Sequence, residues 1–289
     1  INDALGQMAG DEVICEAGRR IEAVIGHCGL VTHLGGDEFN VIIDHQPDGV
    51  ETETMADEIL NAIAMPLIVD GKEIYISASI GVSSYPDNGH SVSEILTNAD
   101  LALHAAKRKG AGVHHFYTRK LSENVERRME MERGLRLALD NNEFHLLYQP
   151  KVDLGSRKIY GAEALLRWES PDLGSVSPVE FIPVAEECGL ISEIGRWVLF
   201  TACETAAGWA EFFDGDYHVG VNFAASQFLE PDIVEWVGIC IESSGLDPKC
   251  LDVELTESML VENSNKTIEV IEALKTLGIS TSMDDFGTG

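Results

Sequence analysis

Basic residues are scarce in this sequence. Lysine and arginine together number 20, against 49 aspartates and glutamates, so the net charge is −29 at pH 7. A surface of this sign repels the phosphate backbones of DNA and RNA, and bulk nucleic-acid binding is therefore not expected. The same acidity would also suit a salt-adapted host, and the sequence leaves its origin open.

The sequence also lacks paired cysteine motifs and long apolar runs. Its six cysteines are scattered and none forms C-x-x-C, which argues against a zinc site or a disulfide framework and fits a reducing compartment. No apolar run reaches the ~18 residues of a membrane-spanning helix, and no signal peptide opens the chain. Together these features predict a cytoplasmic location.

The two ends of the chain are abrupt. It begins at Ile1 rather than at a methionine, and it stops at Gly289, just after an apparent strand. We therefore expect a fragment, truncated at both ends, of a longer protein whose other regions could carry a membrane anchor or a sensory domain.

Three segments with different patterns follow one another along the 289 residues. Residues 1–117 mix helices with adjacent strands, which predicts an α+β domain. Residues 118–142 show a helical apolar stripe, with Gly134 as the one glycine and no proline, which indicates a connecting helix. Residues 143–289 alternate strands with helices, which predicts a parallel sheet or a β/α barrel.

The first segment carries two glycines and two carboxylates between two strand-like runs, in the order Gly35-Gly36-Asp37-Glu38. The glycines permit a positive φ at a hairpin turn and allow a ligand to approach the backbone closely. Asp37 and Glu38 could there hold Mg²⁺ on a nucleotide phosphate. The alternative is a solvated acidic turn without a ligand.

Together with Phe39, this turn resembles the signature of GGDEF domains, the diguanylate cyclases. Spaced motifs on both sides of the turn agree with the resemblance, namely Asn2-Asp3, Gly10-Asp11, Ser79-Ile80-Gly81-Val82 and Ala99-Asp100. The resemblance covers residues 1–117 and implies a GTP site. The residues implied are Asn2 and Asp11 for guanine, Gly35, Gly36 and Lys107 for the rest of the substrate, and Asp37 and Glu38 as catalytic carboxylates, with Asp37 also binding metal.

Departures from the family pattern argue against cyclase activity. His33 replaces the usual arginine two residues before the glycines, and Gln7 replaces a usual histidine. Gly110-Ala111-Gly112 lacks a phosphate-contacting arginine, and Gly26-His27-Cys28-Gly29 lacks the product-inhibition motif. The resemblance therefore implies a degenerate domain that binds GTP as a regulator.

The third segment contains a strand-like run that carries Glu163, Leu165 and Arg167. Because side chains on a strand alternate between faces, these three share one face, with Glu163 and Arg167 ~13 Å apart. The carboxylate could hold a metal ion while the arginine meets a phosphate. The alternative is a salt-bridging pair on an exposed strand.

Polar residues lie at or near the ends of four apolar strands in this segment, namely Glu163, Asn222, Glu254 and Asp284. In a β/α barrel such ends converge on one rim, where catalytic residues gather. Carboxylates converging there would repel one another without cations between them, and hard oxygen ligands suit Mg²⁺, Mn²⁺ or Ca²⁺. Asp285 could bridge to a second ion, and paired metal ions promote phosphodiester hydrolysis.

This half of the chain resembles the EAL domain, the cyclic-di-GMP phosphodiesterase, over about residues 130–289. The motifs that carry the resemblance are Gln149-Pro150-Lys151, Glu163-Ala164-Leu165-Leu166-Arg167-Trp168, Pro178-x-x-Phe181-Ile182-Pro183, Val221-Asn222, Glu254-Leu255-Thr256-Glu257-Ser258 and Asp284-Asp285-Phe286-Gly287. The implied fold is a TIM-like β/α barrel, here truncated. The resemblance implies that Mg²⁺ or Mn²⁺ is bound by Glu163, Asn222, Glu254, Asp284 and Asp285, of which Glu163, Asp284 and Asp285 are catalytic. It implies that the substrate is contacted by Gln149, Leu165 and Arg167. It also implies that Glu257 stabilises the loop after Asp285.

The activity implied by the resemblance is hydrolysis of cyclic-di-GMP to linear pGpG by the longer protein, regulated by its GGDEF-like half. The family's catalytic lysine and last metal-binding glutamate would lie downstream, so the fragment alone is expected to be inactive and poorly stable. One alternative is a receptor that binds cyclic-di-GMP and GTP without turnover, and another is a bifunctional cyclase and phosphodiesterase. The resemblance also suggests a homodimer.

Overall fold

The computed structural model describes residues 6–44, 52–69, 71–209, 212, 217–256 and 264–284. The chain forms two compact units, and the division between them falls between Glu126 and Arg127, inside one long helix. Each unit has its own hydrophobic core. Among the helices that the structure describes, none is long and apolar enough to span a bilayer.

Unit 1 combines helices with short two-stranded ladders. Its elements are α1 (Gln7–Ile25), β1 (Gly29–Gly35), β2 (Glu38–Ile43), α2 (Thr52–Ala64), β3 (Leu67–Val69), β4 (Lys72–Ile74), β5 (Ser79–Val82), α3 (Val92–Lys109) and β6 (Val113–Phe116). The pairs β1–β2 and β3–β4 are antiparallel, whereas β5 and β6 are parallel. This mixture of helices and strands agrees with the α+β fold that the sequence predicts.

The core of unit 1 lies between α1 and α2. Apolar residues of α1 recur at helical spacing and therefore share one face of the helix. On that face Ala17, Ile21 and Ile25 are buried in one cluster with Met55 and Ile59 of α2. The packing of α1 on α2 fixes α1 beside the β1–β2 hairpin that carries the two glycines.

One predicted strand in unit 1 is wrong. The apolar pattern predicts a single strand from Glu73 to Ser83, but the structure has the two shorter strands β4 and β5 there. Because β4 pairs with β3 and β5 pairs with β6, the two ends of the run belong to different ladders. The residues between them, 75–78, join neither ladder.

Helix α4 (Arg119–Ala138) crosses the division between the units. It ends at Ala138, and a turn with Asn142 in the left-handed region (φ 56°) leads into the first strand of unit 2. The elements that follow are β7 (Phe144–Val152), β8 (Ile159–Ser170), β9 (Gly174–Val176), α5 (Pro178–Glu187), α6 (Ile191–Trp209), β10 (His218–Asn222), α7 (Ala225–Phe228), α8 (Ile233–Ser244), β11 (Leu251–Thr256), α9 (Ser264–Thr276) and β12 (Ser280–Asp284).

The described strands of unit 2 form one sheet in the order β12-β11-β10-β8-β7, with β9 against β8. Strands β8, β10, β11 and β12 are parallel, and β7 joins β8 in the antiparallel sense. Side chains alternate along each strand, and Val219, Val221 and Val253 are buried in the core that the helices cover. Residues between these valines therefore face the other side of the sheet, where the predicted site residues lie.

Candidate metal centre

The parallel register of unit 2 brings the predicted ligands together on one face of the sheet. Glu163, expected at or near the end of its strand, instead lies in the interior of β8, which continues to Ser170 because it also pairs with β7 and β9. Glu163 of β8 lies opposite Gly220 of β10, and Asn222, two residues further along β10, lies opposite Glu254 of β11. Asp284 ends the next strand, β12. Because residues two apart on a strand share a face, the four polar side chains lie on the same face of the sheet.

Oxygen atoms converge at this place. One carboxylate oxygen from each of Glu163, Glu254 and Asp284 lies within 4.8 Å of the other two. The side-chain amide of Asn222 donates a hydrogen bond of 2.7 Å from Nδ2 to Glu163 Oε1. The structure thus gathers the four predicted ligands that fall within its described part.

Three carboxylates this close repel one another, most strongly where burial excludes water. Glu254 is only 4% exposed. Burial raises the pKa of the Glu254 carboxyl above its ordinary value; its bond to Lys151 opposes the rise, and the nearby charges of Glu163 and Asp252 add to it. A set of oxygen donors with net negative charge suits a hard divalent cation, so the residues present fit Mg²⁺ or Mn²⁺.

Lys151 contacts this centre, although sequence reasoning gave it no individual role. Its Nζ donates a hydrogen bond to Glu254 Oε1 and lies 3.9 Å from Asp252 Oδ2. Burial by itself would lower the pKa of Lys151, but the bond to Glu254 and the charges of Glu254 and Asp252 outweigh it and raise the pKa above its ordinary value. Lys151 is therefore a permanent cation beside the carboxylates.

The predicted substrate-contacting residues lie on β7 and β8. Gln149 is exposed and sits opposite Glu163 in the antiparallel register. Leu165 and Arg167 are partly buried and follow Glu163 on its face of β8. The Arg167 guanidinium donates one hydrogen bond of 2.8 Å from Nη1 to the Leu166 carbonyl. These three side chains therefore flank the acidic cluster on the same face of the sheet.

In unit 1 the glycine turn has the predicted hairpin geometry. Gly35 and Gly36 have φ values of 125° and 60°, a region that glycine occupies at little cost. Asp37 is the second residue of the turn, Glu38 begins β2, and both are exposed. His33, in the place of the family's usual arginine, braces the turn by donating a hydrogen bond of 3.0 Å from Nε2 to the Gly36 carbonyl.

The other predicted GTP-binding residues of unit 1 lie on helices. Asp11 is exposed near the start of α1, and Lys107 is exposed in the last turn of α3. A cleft of about 360 Å³ lies between α1 and the β1–β2 hairpin, with Gly18, His33 and Phe39 among its lining residues. Of the predicted GTP-binding residues that the structure describes, none lines this cleft.

Three predicted site residues, Asn2, Glu257 and Asp285, lie outside the described residues, and their roles stay predictions. Sequence reasoning missed Asp252 and Gly220 at the centre of unit 2. The signal available for both was strand alternation, because each lies two residues before a predicted ligand on the same strand.

The fold and the site define a β/α protein with a cluster of acidic side chains on one face of its parallel strands. Residues 132–289 match the family described as EAL domain, and residues 1–112 match the family described as diguanylate cyclase, GGDEF domain. The chain belongs to the EAL family and carries a GGDEF domain ahead of its EAL domain. The predicted tandem of the two domains is confirmed.

Named relatives are similar over the whole chain. It is 35% identical to MucR of Pseudomonas aeruginosa, named a bifunctional diguanylate cyclase/cyclic di-GMP phosphodiesterase, and spans 42% of that protein. It is 36% identical to NbdA of the same organism, named a cyclic di-GMP phosphodiesterase, and spans 37% of it. The solved structure of the PaMucR phosphodiesterase in complex with c-di-GMP matches 55% of this chain and 65% of its own, with a TM-score of 0.54 and 38% identity. The chain therefore spans less than half the length of these two curated relatives.

Proposed function

We propose that the protein containing this chain hydrolyses cyclic-di-GMP to linear pGpG in a reaction that depends on Mg²⁺ or Mn²⁺. The observation that carries the proposal is the convergence of carboxylate oxygens from Glu163, Glu254 and Asp284 within 4.8 Å. The similarity to two proteins named for cyclic di-GMP phosphodiesterase activity supports the choice of substrate. Bound divalent ions supply an activated water and stabilise the leaving oxygen in phosphodiester hydrolysis.

Glu163, Asn222, Glu254 and Asp284, together with Asp285, would hold the metal. Glu254 is buried and Asp284 is exposed, so the centre has an inner side fixed by the sheet and an outer side open to a substrate. A ligand set anchored on rigid strands keeps its geometry during turnover, which metal-dependent hydrolysis requires. Glu257 would steady the loop that carries Asp285.

Arg167, Gln149 and Leu165 would orient the dinucleotide. An arginine is always charged and presents five N–H donors, so the bond from Arg167 to the Leu166 carbonyl leaves further donors for a phosphate. Gln149 lies opposite Glu163, where its amide can meet a polar group of the substrate. Leu165 supplies an apolar contact between the carboxylate and the arginine.

The GGDEF domain would bind GTP and regulate this activity without turning GTP over. The residues proposed for GTP are Asn2, Asp11, Gly35, Gly36, Asp37, Glu38 and Lys107. The exposed carboxylates at the glycine turn suit a Mg²⁺-bound nucleotide. His33 donates from Nε2 to the Gly36 carbonyl rather than to a phosphate. Homodimerisation, which the family resemblance suggests, can be tested on the full-length protein by light scattering.

The test is a turnover assay on the full-length protein. It is incubated with cyclic-di-GMP and Mg²⁺ or Mn²⁺, with and without GTP, and linear pGpG is followed by chromatography. We expect pGpG to form only with metal, GTP to change its rate, and Glu163→Gln to abolish it. Glu204→Gln, an exposed position on α6, is the control and should retain activity.

Two outcomes contradict the proposal. Tight binding of cyclic-di-GMP without product in the presence of metal would make the protein a receptor. Synthesis of cyclic-di-GMP from GTP would make it bifunctional and would overturn the purely regulatory role of the GGDEF domain.

A further inference from the structure

Lys151 and Glu254 meet across the sheet from strands that are not neighbours. They are separated by 103 positions in the sequence, and β8 and β10 lie between β7 and β11 in the sheet. Adjacent strands are spaced ~4.8 Å apart, so the backbones of β7 and β11 are three such spacings from each other. The two side chains can meet only because the sheet curls towards the face that carries the acidic cluster.

Gly220 provides the space in which the pair meets. A Cβ atom at this position would lie 2.2 Å from Glu254 Oε1 and 2.7 Å from Lys151 Nζ. Both distances are shorter than a side-chain carbon tolerates, so an alanine here would force the ends of the Glu254 and Lys151 side chains to move from their present positions. Gly220 lies on β10, two residues before the ligand Asn222 and opposite Glu163, so the pair crosses the sheet directly beside the metal ligands.

Asp252 balances the charge of Lys151. Its Oδ2 lies 3.9 Å from Lys151 Nζ and accepts a hydrogen bond of 2.7 Å from Ser282 Oγ. The side chains of Lys151 and Asp252 are 26% and 19% exposed, so both charges are partly withdrawn from water. Lys151 and Asp252 together add no net charge to the site.

We propose that Lys151 is a positioning residue of the metal centre, which holds Oε1 of Glu254 so that the other carboxylate oxygen is presented to a cation shared with Glu163 and Asp284. This inference rests on the proposed metal-dependent function. A carboxylate with one oxygen already fixed loses little conformational entropy when the metal binds. Residues that hydrogen-bond a metal ligand in this way change metal affinity on the order of 10–100-fold. Asp252 and Gly220 support the same contact, since Asp252 balances the charge of Lys151 and Gly220 leaves room for the two side chains to meet.

An opposing effect gives the inference a sharp test. A cation beside a metal site also repels the metal, so a lysine that acted only through its charge would weaken metal binding. Its removal would then strengthen binding. Positioning predicts the opposite sign, and the sign can be measured without any turnover.

The experiment measures Mn²⁺ binding to the full-length protein by electron paramagnetic resonance of free Mn²⁺. The variants are Lys151→Met, which removes the charge and the donor, and Gly220→Ala, which keeps both charges but displaces the ends of the two side chains from their present contact. Lys158→Met is the control, because this exposed lysine lies in the connection between β7 and β8. Thermal unfolding of each variant is recorded in parallel, and pGpG release is measured against Mn²⁺ concentration.

We expect Lys151→Met and Gly220→Ala each to raise the half-saturating Mn²⁺ concentration on the order of 10–100-fold, while Lys158→Met leaves it unchanged. At saturating Mn²⁺ the turnover number of Lys151→Met should return to that of the unmodified protein, because the lysine acts through Glu254 and not on the substrate.

Equal or tighter Mn²⁺ binding by Lys151→Met would overturn the inference while leaving the proposed function intact. So would a turnover defect that saturating Mn²⁺ does not restore. If Lys151→Met fails to fold, Mn²⁺ binding by Gly220→Ala tests the inference in its place. Unfolding of both variants that Mn²⁺ does not reverse would assign the lysine to stability alone. An unmodified protein that binds no Mn²⁺ would overturn the proposed function and this inference together.

Discussion

Asn222 and Glu163, 59 positions apart, are joined by a hydrogen bond of 2.7 Å from Asn222 Nδ2 to Glu163 Oε1. Strands β10 and β8 are parallel neighbours, and the contact joins the last residue of β10 to the interior of the longer β8. An amide at this place adds an oxygen for a cation without adding a fourth negative charge to Glu163, Glu254 and Asp284. The amide also donates to Glu163 and so fixes one carboxylate oxygen of the cluster.

Replacing Asn222 by alanine should therefore weaken metal binding. We expect the metal concentration for half-maximal pGpG release to rise on the order of 10–100-fold, because Glu163 loses the bond that orients it and the centre loses an oxygen. The matched control is Asn141→Ala, since Asn141 Nδ2 donates a bond of 3.0 Å to Glu143 Oε1 away from the centre. Unchanged metal dependence in Asn222→Ala would show that the amide plays no part in holding the metal.

Metal should also stabilise the protein. A cation that binds the folded state alone adds ~2.7 kcal/mol to the free energy of unfolding at 100 times its dissociation constant. Mn²⁺ should therefore raise the midpoint of thermal unfolding of the full-length protein, and Glu163→Gln should largely remove the increase. Glu204→Gln should keep it. An equal increase in Glu163→Gln would place the stabilising ion elsewhere.

The positions of Glu163, Asn222, Glu254 and Asp284 on one face could be predicted because each follows a short apolar run, and a period of two fixes the face on which each side chain lies. The contact between Lys151 and Glu254 could not be predicted from the sequence. It depends on the curvature of the sheet and on the missing Cβ of Gly220, and no local sequence pattern indicates that these features bring the two residues together.

The turn in unit 1 shows the same limit. Two glycines between strand-like runs predict a hairpin, and the hairpin is there. At His33 the sequence shows only that an arginine is missing, whereas the structure shows the histidine donating to the Gly36 carbonyl. The division of the expected strand 73–83 into two strands could not be predicted either, because tertiary structure determines which strands pair with each other.

Arg20 ties α1 to the end of α2. Its Nη1 donates a bond of 3.0 Å to the Ala62 carbonyl and its Nη2 donates one of 2.9 Å to the Pro66 carbonyl. The last carbonyls of a helix have no partners within the helix, and the Arg20 side chain is only 17% exposed. The guanidinium thus donates to backbone carbonyls at and just after the C-terminal end of α2.

Replacing Arg20 by alanine should lower the stability of unit 1 by about 2 kcal/mol, since hydrogen bonds from a charged donor to several backbone carbonyls are lost. Hydrogen exchange of core amides of α1 and α2 in the full-length protein would measure the loss. The neighbouring Arg19 has a side chain 69% exposed and pairs with Glu16, so Arg19→Ala should cost less than about 0.5 kcal/mol. Equal effects of the two changes would contradict the role of Arg20.

Gly134 of α4 lies against the indole of Trp168. A Cβ atom at Gly134 would lie 3.0 Å from Cζ2 and 3.2 Å from Cη2 of that ring. The ring cannot move aside easily, because Trp168 is fully buried and its Nε1 donates a bond of 2.9 Å to Glu143 Oε2. Phe144 and Phe181 pack on it with ring centroids 6.1 Å and 5.6 Å away.

Replacing Gly134 by valine should therefore destabilise unit 2 although it removes a glycine from a helix. Overpacking of a rigid core costs about 1–3 kcal/mol, which exceeds the gain in helix propensity of roughly 0.4 kcal/mol. Gly208 of α6 is the matched control, since no heavy atom of the described residues lies within 4 Å of a Cβ there, and Gly208→Val should change stability by less than about 0.5 kcal/mol. Urea denaturation of the full-length protein, followed by the fluorescence of its tryptophans, compares the two. A loss in Gly134→Val no larger than in Gly208→Val would mean that α4 can shift away from Trp168, and that its docking on the sheet is looser than the contact distances imply.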